Sequence, residues 1–442
     1  MRGFAINVAV LGALAGCRAS ESAPAPPAKT SPSAPVAAPR PPAPVIDAGV
    51  APEEAETTTA GVPCVADEKE PAPPKHDQLT LTKVTFADLP GWADDRHAEA
   101  VPAFLRSCEV LAKLKDTAAM GSDGHGGKVR NWRKACAAAA KIPAGDHAAA
   151  KAMFEAEFVP HLAAGKSGPE GKLTGYNVQE IRASRTKRGT YQYPIYDRPK
   201  DLVMIDLAKH IPDAHGRRIW GRLDPKGDII PFFTRPEIRK GALAGKGLEI
   251  MYADDPVDVL FAHIEGSAKA MMDDGSTVWL EFAGKNGRAY RGVGGVLKSM
   301  GHLTAPGSGT MQGIRQWFKD NPGKFDEVVD QSHSYVFFHE SKLAGAVGSQ
   351  MVILTAERSM AIDRAFIAQS TPIWVETRAP NIGKPGASPW RQLLIAQDTG
   401  GGILGAVRGD IYWGDDAAAA ERGGRMGGPG KYWLLLPRGV TK

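Results

Sequence analysis

A mainly β protein with N-terminal helices, its strands closing into a barrel, is the fold class this sequence predicts, on three observations. Beyond about residue 165 the chain breaks into short, β-rich apolar segments separated by Gly, Pro, Asn and Asp, the punctuation of strands and turns. Many such strands with glycine scattered among them favour a closed barrel over a βαβ sheet. Ahead of them, residues 76 to about 165 are Ala-rich and carry helical periodicity. A length of 442 residues allows two or three domains, and 23% charged with 43% hydrophobic residues is ordinary for a soluble fold. The net charge of +5 comes without a Lys/Arg cluster, so no nucleic-acid partner is expected.

Taken in order, the chain opens with Arg2 and an apolar run of small residues, GFAINVAVLGALAGC, that stops at Cys17. The run is too short to span a bilayer and has the layout of an export signal over residues 1–17. Leu14-Ala15-Gly16-Cys17 resembles a bacterial lipobox, which implies cleavage before Cys17 and acylation of that residue. Several acyl chains on one residue anchor a protein stably. Arg18 stands where an Asp would resemble an inner-membrane retention signal, so the expected location is the periplasmic face of the outer membrane. Residues 18–75 are dense in Pro, Ala, Ser and Thr without periodicity and are expected to form a disordered tether.

Within the helical stretch, Val101, Phe104, Leu105, Cys108 and Leu111 share one helical face, as do Trp132, Cys136 and Ala139. Two helices packed through those faces bring Cys108 and Cys136 together, which leaves a disulfide and two buried free thiols as the alternatives. Cys64 falls in the tether and is expected to be unpaired. Further on, TVWLEFAGKNGRAYRGVGG reads as a hairpin turning at Asn286-Gly287. TMQGIRQWFKDNPGKFDEVV reads as a helix capped by Thr310 and ended near Asn321-Pro322. SYVFFHE, QMVIL, TPIWVET, LLIAQD, DIYWG and KYWLLLP read as short strands.

The chemistry is narrowed by what is missing. The eleven histidines show no metal signature, and SDGHGGK (122–128) is explained by a glycine-rich loop, so no metal is expected. GVGG (292–295) lacks the spacing of a dinucleotide fingerprint, no Gly-x-Ser-x-Gly elbow occurs, and no cofactor is expected. Carboxylates remain. Asp410 precedes Ile411, Tyr412 and Trp413, and partial burial beside aromatic surface raises a carboxyl pKa toward that of a general acid. Asp398 ends an apolar strand against Gly400-Gly401-Gly402 and is placed to accept backbone N–H bonds and stay ionised. Composition alone favours the plainer reading, a glycine-rich turn carrying two solvated aspartates.

AQDTGGGILGAVRGDIYWGDD and KYWLLLP resemble the C-terminal 3D module, named for three aspartates, of the membrane-bound lytic murein transglycosylase A family. The resemblance extends upstream through FADLPGWADDRHAEAVPAFLRSC, LTGY, YPIYDRPKDLV, NGRAYRGVGGVL, MQGIRQW and SYVFF, in the family's order, over residues 84 to 438. It implies a double-psi β-barrel built from N- and C-terminal parts, with an inserted second β domain and a glycan groove between them. The corresponding spans are 76–180 for the helices and the start of the barrel, 181–335 for the insert, and 336–442 for the 3D domain. It implies water-free cleavage of the β-1,4 bond between N-acetylmuramic acid and N-acetylglucosamine in peptidoglycan, leaving a 1,6-anhydro end. Carried over by position, the single acid/base is Asp410; Asp398 and Asp363 are orienting or substrate-binding groups, and Tyr176 is a groove residue. The chain is expected to act as a monomer on peptidoglycan glycan strands. A non-catalytic peptidoglycan-binding lipoprotein on the same fold, and a hydrolase, are the rivals. Asn177, Val178 and Gln179 depart from the family's Tyr-Glu-Pro, Glu265 and Ala268 from its Gln-Gly-Ser-Gly, and His333 from a common proline. All six lie in segments expected to line the groove.

Overall fold

The computed structural model describes residues 77–121, 124–211, 218–305 and 307–440. The export signal, Cys17, the tether and Cys64 lie outside the described residues. The described chain begins with β1 (Thr80–Lys83) and three helices, α1 (Val101–Ala112), α2 (Val129–Ala139) and α3 (His147–Glu157). The Asp146 carboxylate caps α3 by accepting from the Ala149 N–H at 2.8 Å. A disulfide between Cys108 and Cys136 ties α1 to α2. The helices turn Phe104, Trp132 and Phe154 inward onto Phe158, all four fully buried. Because the disulfide closes a loop over a sequence separation of 28, chain-entropy arguments give it about 3–4 kcal/mol. Removing it with a Cys108→Ala, Cys136→Ala double substitution is expected to lower the unfolding midpoint by several degrees in a calorimetric scan.

The stretch expected to be helical to about 165 ends earlier, at β2 (Phe158–Ala164), which is followed by β3 (Gly171–Tyr176). The inserted region then runs through β4 (Gln179–Ser184), β5 (Tyr193–Tyr196), β6 (Leu202–Asp206), β7 (Arg218–Leu223), β8 (Ile229–Ile230) and β9 (Glu249–Ala253). It continues with a helix over Pro256–Glu265, then β10 (Ser267–Met272), β11 (Thr277–Lys285) and β12 (Val336–Glu340). The C-terminal part supplies β13 (Ser359–Ile362), β14 (Pro372–Pro380), β15 (Ala387–Asp398), β16 (Arg408–Tyr412) and β17 (Gly427–Pro437).

The barrel is a closed ring. β17, β14, β15, β13, β16 and β3 are neighbours in that order, and β3 returns to pair with β17. Only β3 comes from before the insert, so N- and C-terminal parts complete one barrel. Its interior is apolar, with Leu173, Met360, Ile373, Leu394, Ile411, Trp413 and Leu434 in contact. Leu393 and Ile395, the alternate residues of β15, are buried too, because α1–α3 pack on that outer face.

The insert holds a six-stranded sheet, β12-β11-β10-β4-β9-β5, and a three-stranded one, β6-β7-β8. β12 hydrogen-bonds to β11, so the edge of the inserted sheet lies one strand beyond the boundary expected at residue 335. The hairpin expected at Asn286-Gly287 does not form. Asn286 is fully buried, and its side chain donates to the Phe233 and His333 carbonyls and accepts from the Tyr335 N–H, each at 2.8 Å. That network ends β11, and β12 takes the place of the return strand. QMVIL forms only a bridge between Val347 and Ile353, since buried Gln350 turns its side chain to Ser107 and Ser370. The helix over Met311–Asp320 does start at Thr310, whose hydroxyl accepts from the Gly313 N–H.

Candidate active site

β3 and β16 run parallel with Lys172 beside Arg408, Thr174 beside Asp410 and Tyr176 beside Tyr412. Alternation along both strands puts these six side chains on one face and Leu173, Gly175, Gly409, Ile411 and Trp413 on the other. The second set fills the barrel interior, where Trp413 packs on Trp390 with ring centroids 5.2 Å apart. Glycine is required at 175, because a Cβ there would lie 2.3 Å from the Trp413 indole nitrogen. The aromatic neighbours expected to desolvate Asp410 are therefore divided: Tyr412 shares its face and Trp413 does not.

The Thr174 hydroxyl donates to Asp410 Oδ1 at 2.6 Å. Tyr176, Tyr412, Ala361 and Ile403 form an apolar cluster around this face, with the Tyr176 and Tyr412 ring centroids 5.3 Å apart. Burial pushes the Asp410 carboxyl up to about 6; the Thr174 hydrogen bond and the Arg408 charge act against it, and the Asp398 charge adds to it. Asp398 ends β15 and accepts from the Ser349 and Thr399 N–H groups and the Tyr176 hydroxyl, all at 2.8 Å. Burial raises its pKa, yet every bond it makes is one a carboxylate accepts, and the geometry favours the anion.

The structure brings Asp410, Asp398 and Tyr176 together and leaves Asp363 apart. Asp363 follows β13, accepting from the Ala365 N–H at 3.0 Å and the Gly405 N–H at 2.8 Å. It is Asp363, then, that holds the glycine-rich loop, while Asp398 takes none of the three glycine amides.

The positions expected to line the groove are mostly packed inside. Asn177, Val178, Gln179 and Ala268 are buried, Asn177 against Gly423 and Val178 in the tyrosine cluster. The His333 carbonyl accepts from Arg235 N–H and the Asn286 side chain, which makes it part of the insert's own framework. Glu265 is the exception. It ends the helix over Pro256–Glu265, and its carboxyl feels the charges of Asp410 and Asp398. Burial, then those two charges, pushes it well above the ordinary carboxylate range. Lys269, four residues on, bonds Asp415 at 3.0 Å and fixes β10 against the loop after β16.

Sequence inspection missed one site residue. Thr174 was within reach, because it stands two residues before Tyr176 on the same strand face.

Comparison with known proteins agrees with this geometry. Residues 172–339 match the MltA specific insert domain, and residues 358–436 match the 3D domain. The membrane-bound lytic murein transglycosylase A of Escherichia coli K12 is 32% identical over 267 residues, 60% of this chain and 65% of that protein. The chain thus spans just under two thirds of the length of that curated relative. The crystal structure of a membrane-bound lytic murein transglycosylase from Agrobacterium tumefaciens is 31% identical, with a TM-score of 0.69 over 81% of this chain and 98% of that one. E. coli MltA with bound chitohexaose is 25% identical, with a TM-score of 0.57 over 81% of this chain and 94% of that one.

Proposed function

Since the chain belongs to the membrane-bound lytic murein transglycosylase A family, we propose that it cleaves peptidoglycan glycan strands without water, with Asp410 as the single acid and base. Protonated Asp410 gives its proton to the glycosidic oxygen between N-acetylmuramic acid and N-acetylglucosamine. The resulting carboxylate then accepts the proton of the muramic C6 hydroxyl as that oxygen closes on C1. One C–O bond breaks, one forms, and the enzyme ends as it began. The observation that carries this reading is a half-buried carboxyl with one hydroxyl donor, on the strand face whose tyrosine cluster packs against Trp279 of the insert; burial there pushes it up to about 6.

The other residues support that step. Asp398 adds the negative charge that keeps the Asp410 proton in place and fixes Tyr176 through its hydroxyl. Asp363 orients the loop that follows β15 through Gly405. The clamp alternative loses its support, because four of the six departures are buried packing positions. Among the described residues no helix is long and apolar enough to cross a membrane. The membrane-bound character in the relatives' names would here rest on acylated Cys17, at the periplasmic face of the outer membrane.

Digesting purified sacculi and identifying the released muropeptides by mass spectrometry tests the activity: anhydro ends support it, and tight binding with no release would return the clamp to the front. The pH profile has a defined sign. Asp410 must carry its proton, so activity is expected to fall about tenfold per unit as pH rises beyond about 6. The Thr174 hydrogen bond favours the charged form, so Thr174→Val is expected to move that falling limb to higher pH. A limb that stays put, or moves down, would remove Thr174 from the account.

A further inference from the structure

The strand pair that carries Thr174 and Asp410 begins with two cations. Lys172 and Arg408 are register partners near the start of β3 and β16, on the face that also bears Thr174 with Asp410 and Tyr176 with Tyr412. Three pairs therefore follow one another along that face at steps of about 6–7 Å. The tyrosines stand nearest the insert, the acid in the middle, and the cations last. Beside the cations lies an open hollow of about 400 Å³, walled by the turn over residues 165–168 and by Gly405 of the loop before β16.

Neither cation has an acid to pair with. Among the described residues neither is in an ion pair: Lys172 is exposed, and half-buried Arg408 donates only to the Gly409 and Lys172 carbonyls. Two acids share the wall of the hollow. Asp77 is occupied by backbone, accepting from the Gln78, Lys166 and Ala406 N–H groups at 2.9, 3.0 and 2.8 Å. Glu170 is exposed and bonds neither cation. Asp410 cannot be their lasting counter-ion, because it must hold its proton to act. Like charges in register on neighbouring strands repel, and partial burial of Arg408 adds to the cost of leaving it unpaired. A guanidinium and an ammonium side by side suit a carboxylate, which can accept from both. An anionic group on the ligand accounts for the arrangement.

We propose that Lys172 and Arg408 form an anion subsite at the edge of the cleavage site, binding a carboxylate carried on the C3 substituent of the muramic sugar. The inference rests on the reading of peptidoglycan as substrate, and it turns the muramic C3 substituent toward the cation end of the strand pair. N-acetylglucosamine has no anionic group. N-acetylmuramic acid has a lactyl ether at C3, on the same ring as the reacting C1, and it ends in a free carboxylate or in a peptide stem that bears carboxylates. A carboxylate seated there also offsets the two positive charges that draw the proton from Asp410.

The test is calorimetric binding of three ligands: chitohexaose, which has no carboxylate, glycan strands stripped of their stems, and strands with stems in place. It uses the full-length protein in detergent carrying Asp410→Asn to prevent turnover. On that background Lys172→Gln with Arg408→Gln is expected to weaken binding of the carboxylate-bearing strands about tenfold or more, and to change chitohexaose affinity by less than about twofold. Lys172→Arg with Arg408→Lys keeps both charges and is expected to retain most of the affinity. Should the double glutamine change unfold the chain, Lys172→Gln alone, at an exposed position, is expected to show the same contrast at roughly threefold. Dependence on the cations with stripped strands makes the lactyl carboxylate the partner, and dependence only with stems in place makes it a stem carboxylate. Either result supports the inference. Equal losses for all three ligands, or no loss for any, would overturn it and leave the proposed activity standing. If no ligand binds with both cations intact, the glycan reading falls and takes the inference with it.

Discussion

Asp410→Asn is expected to reduce release of anhydro-muropeptides by about 10³-fold or more, the range a missing general acid and base produces. Asparagine keeps the shape, the place beside Thr174 and the contact with the tyrosine cluster, and loses only the transferable proton. Its effect on stability has the opposite sign. The Asp410 pKa is higher in the folded state than in the unfolded chain, so between the ordinary carboxylate value and about 6 the unfolded chain holds fewer protons. Ionisation therefore removes stability as pH rises through that window, and asparagine removes the ionisation. The variant is expected to unfold no earlier than wild type at pH 7, which separates lost chemistry from lost fold. Activity retained within tenfold would assign the acid to another group.

The largest expected effect on the fold itself comes from Asp95→Ala. Arg358, at the entrance to β13, is 2% exposed at its side chain, and Asp95 is 3% exposed. The guanidinium donates to both Asp95 oxygens at 2.9 and 3.0 Å, to Glu99 at 2.9 Å and to the Leu393 carbonyl at 3.2 Å. Asp95 also accepts from the Leu393 N–H at 3.2 Å, so one carboxylate links the segment before α1 to two barrel strands. Deleting it leaves the buried cation only the partly exposed Glu99 as counter-charge, at a cost of about 3–5 kcal/mol. The expected drop in unfolding midpoint is on the order of 5–10 °C. A double substitution, Asp95→Leu with Arg358→Met, removes both charges and is expected to cost clearly less. Equal losses from the single and double changes would mean that packing volume, not charge pairing, holds this junction.

These two residues mark what could be read in the sequence. Asp410 was legible because chemistry, local pattern and family resemblance converge on one short strand. Its helper Thr174 needed only the two-residue period of that strand. The N-terminal helices and the Thr310 cap were legible for the same reason, since periodicity and capping act within a few residues. Asp95 and Asn286 were not, because each acts across a long sequence separation. Asn286 shows the cost most plainly: an Asn-Gly pair is a strong local turn signal, yet three backbone partners from elsewhere decide its conformation. The division of Tyr412 from Trp413 shows the converse. Their opposite faces follow from strand alternation alone, but which face is the barrel interior depends on closure of the ring through β3 and β17.

With Asp410 as the single acid and base, no water enters the products. The most direct measurement is digestion of sacculi by the full-length protein in H₂¹⁸O, with mass spectrometry of the newly formed muramic ends. The account predicts anhydro ends with no ¹⁸O. Reducing ends carrying one ¹⁸O would contradict it, and would require a second carboxyl to activate water opposite Asp410.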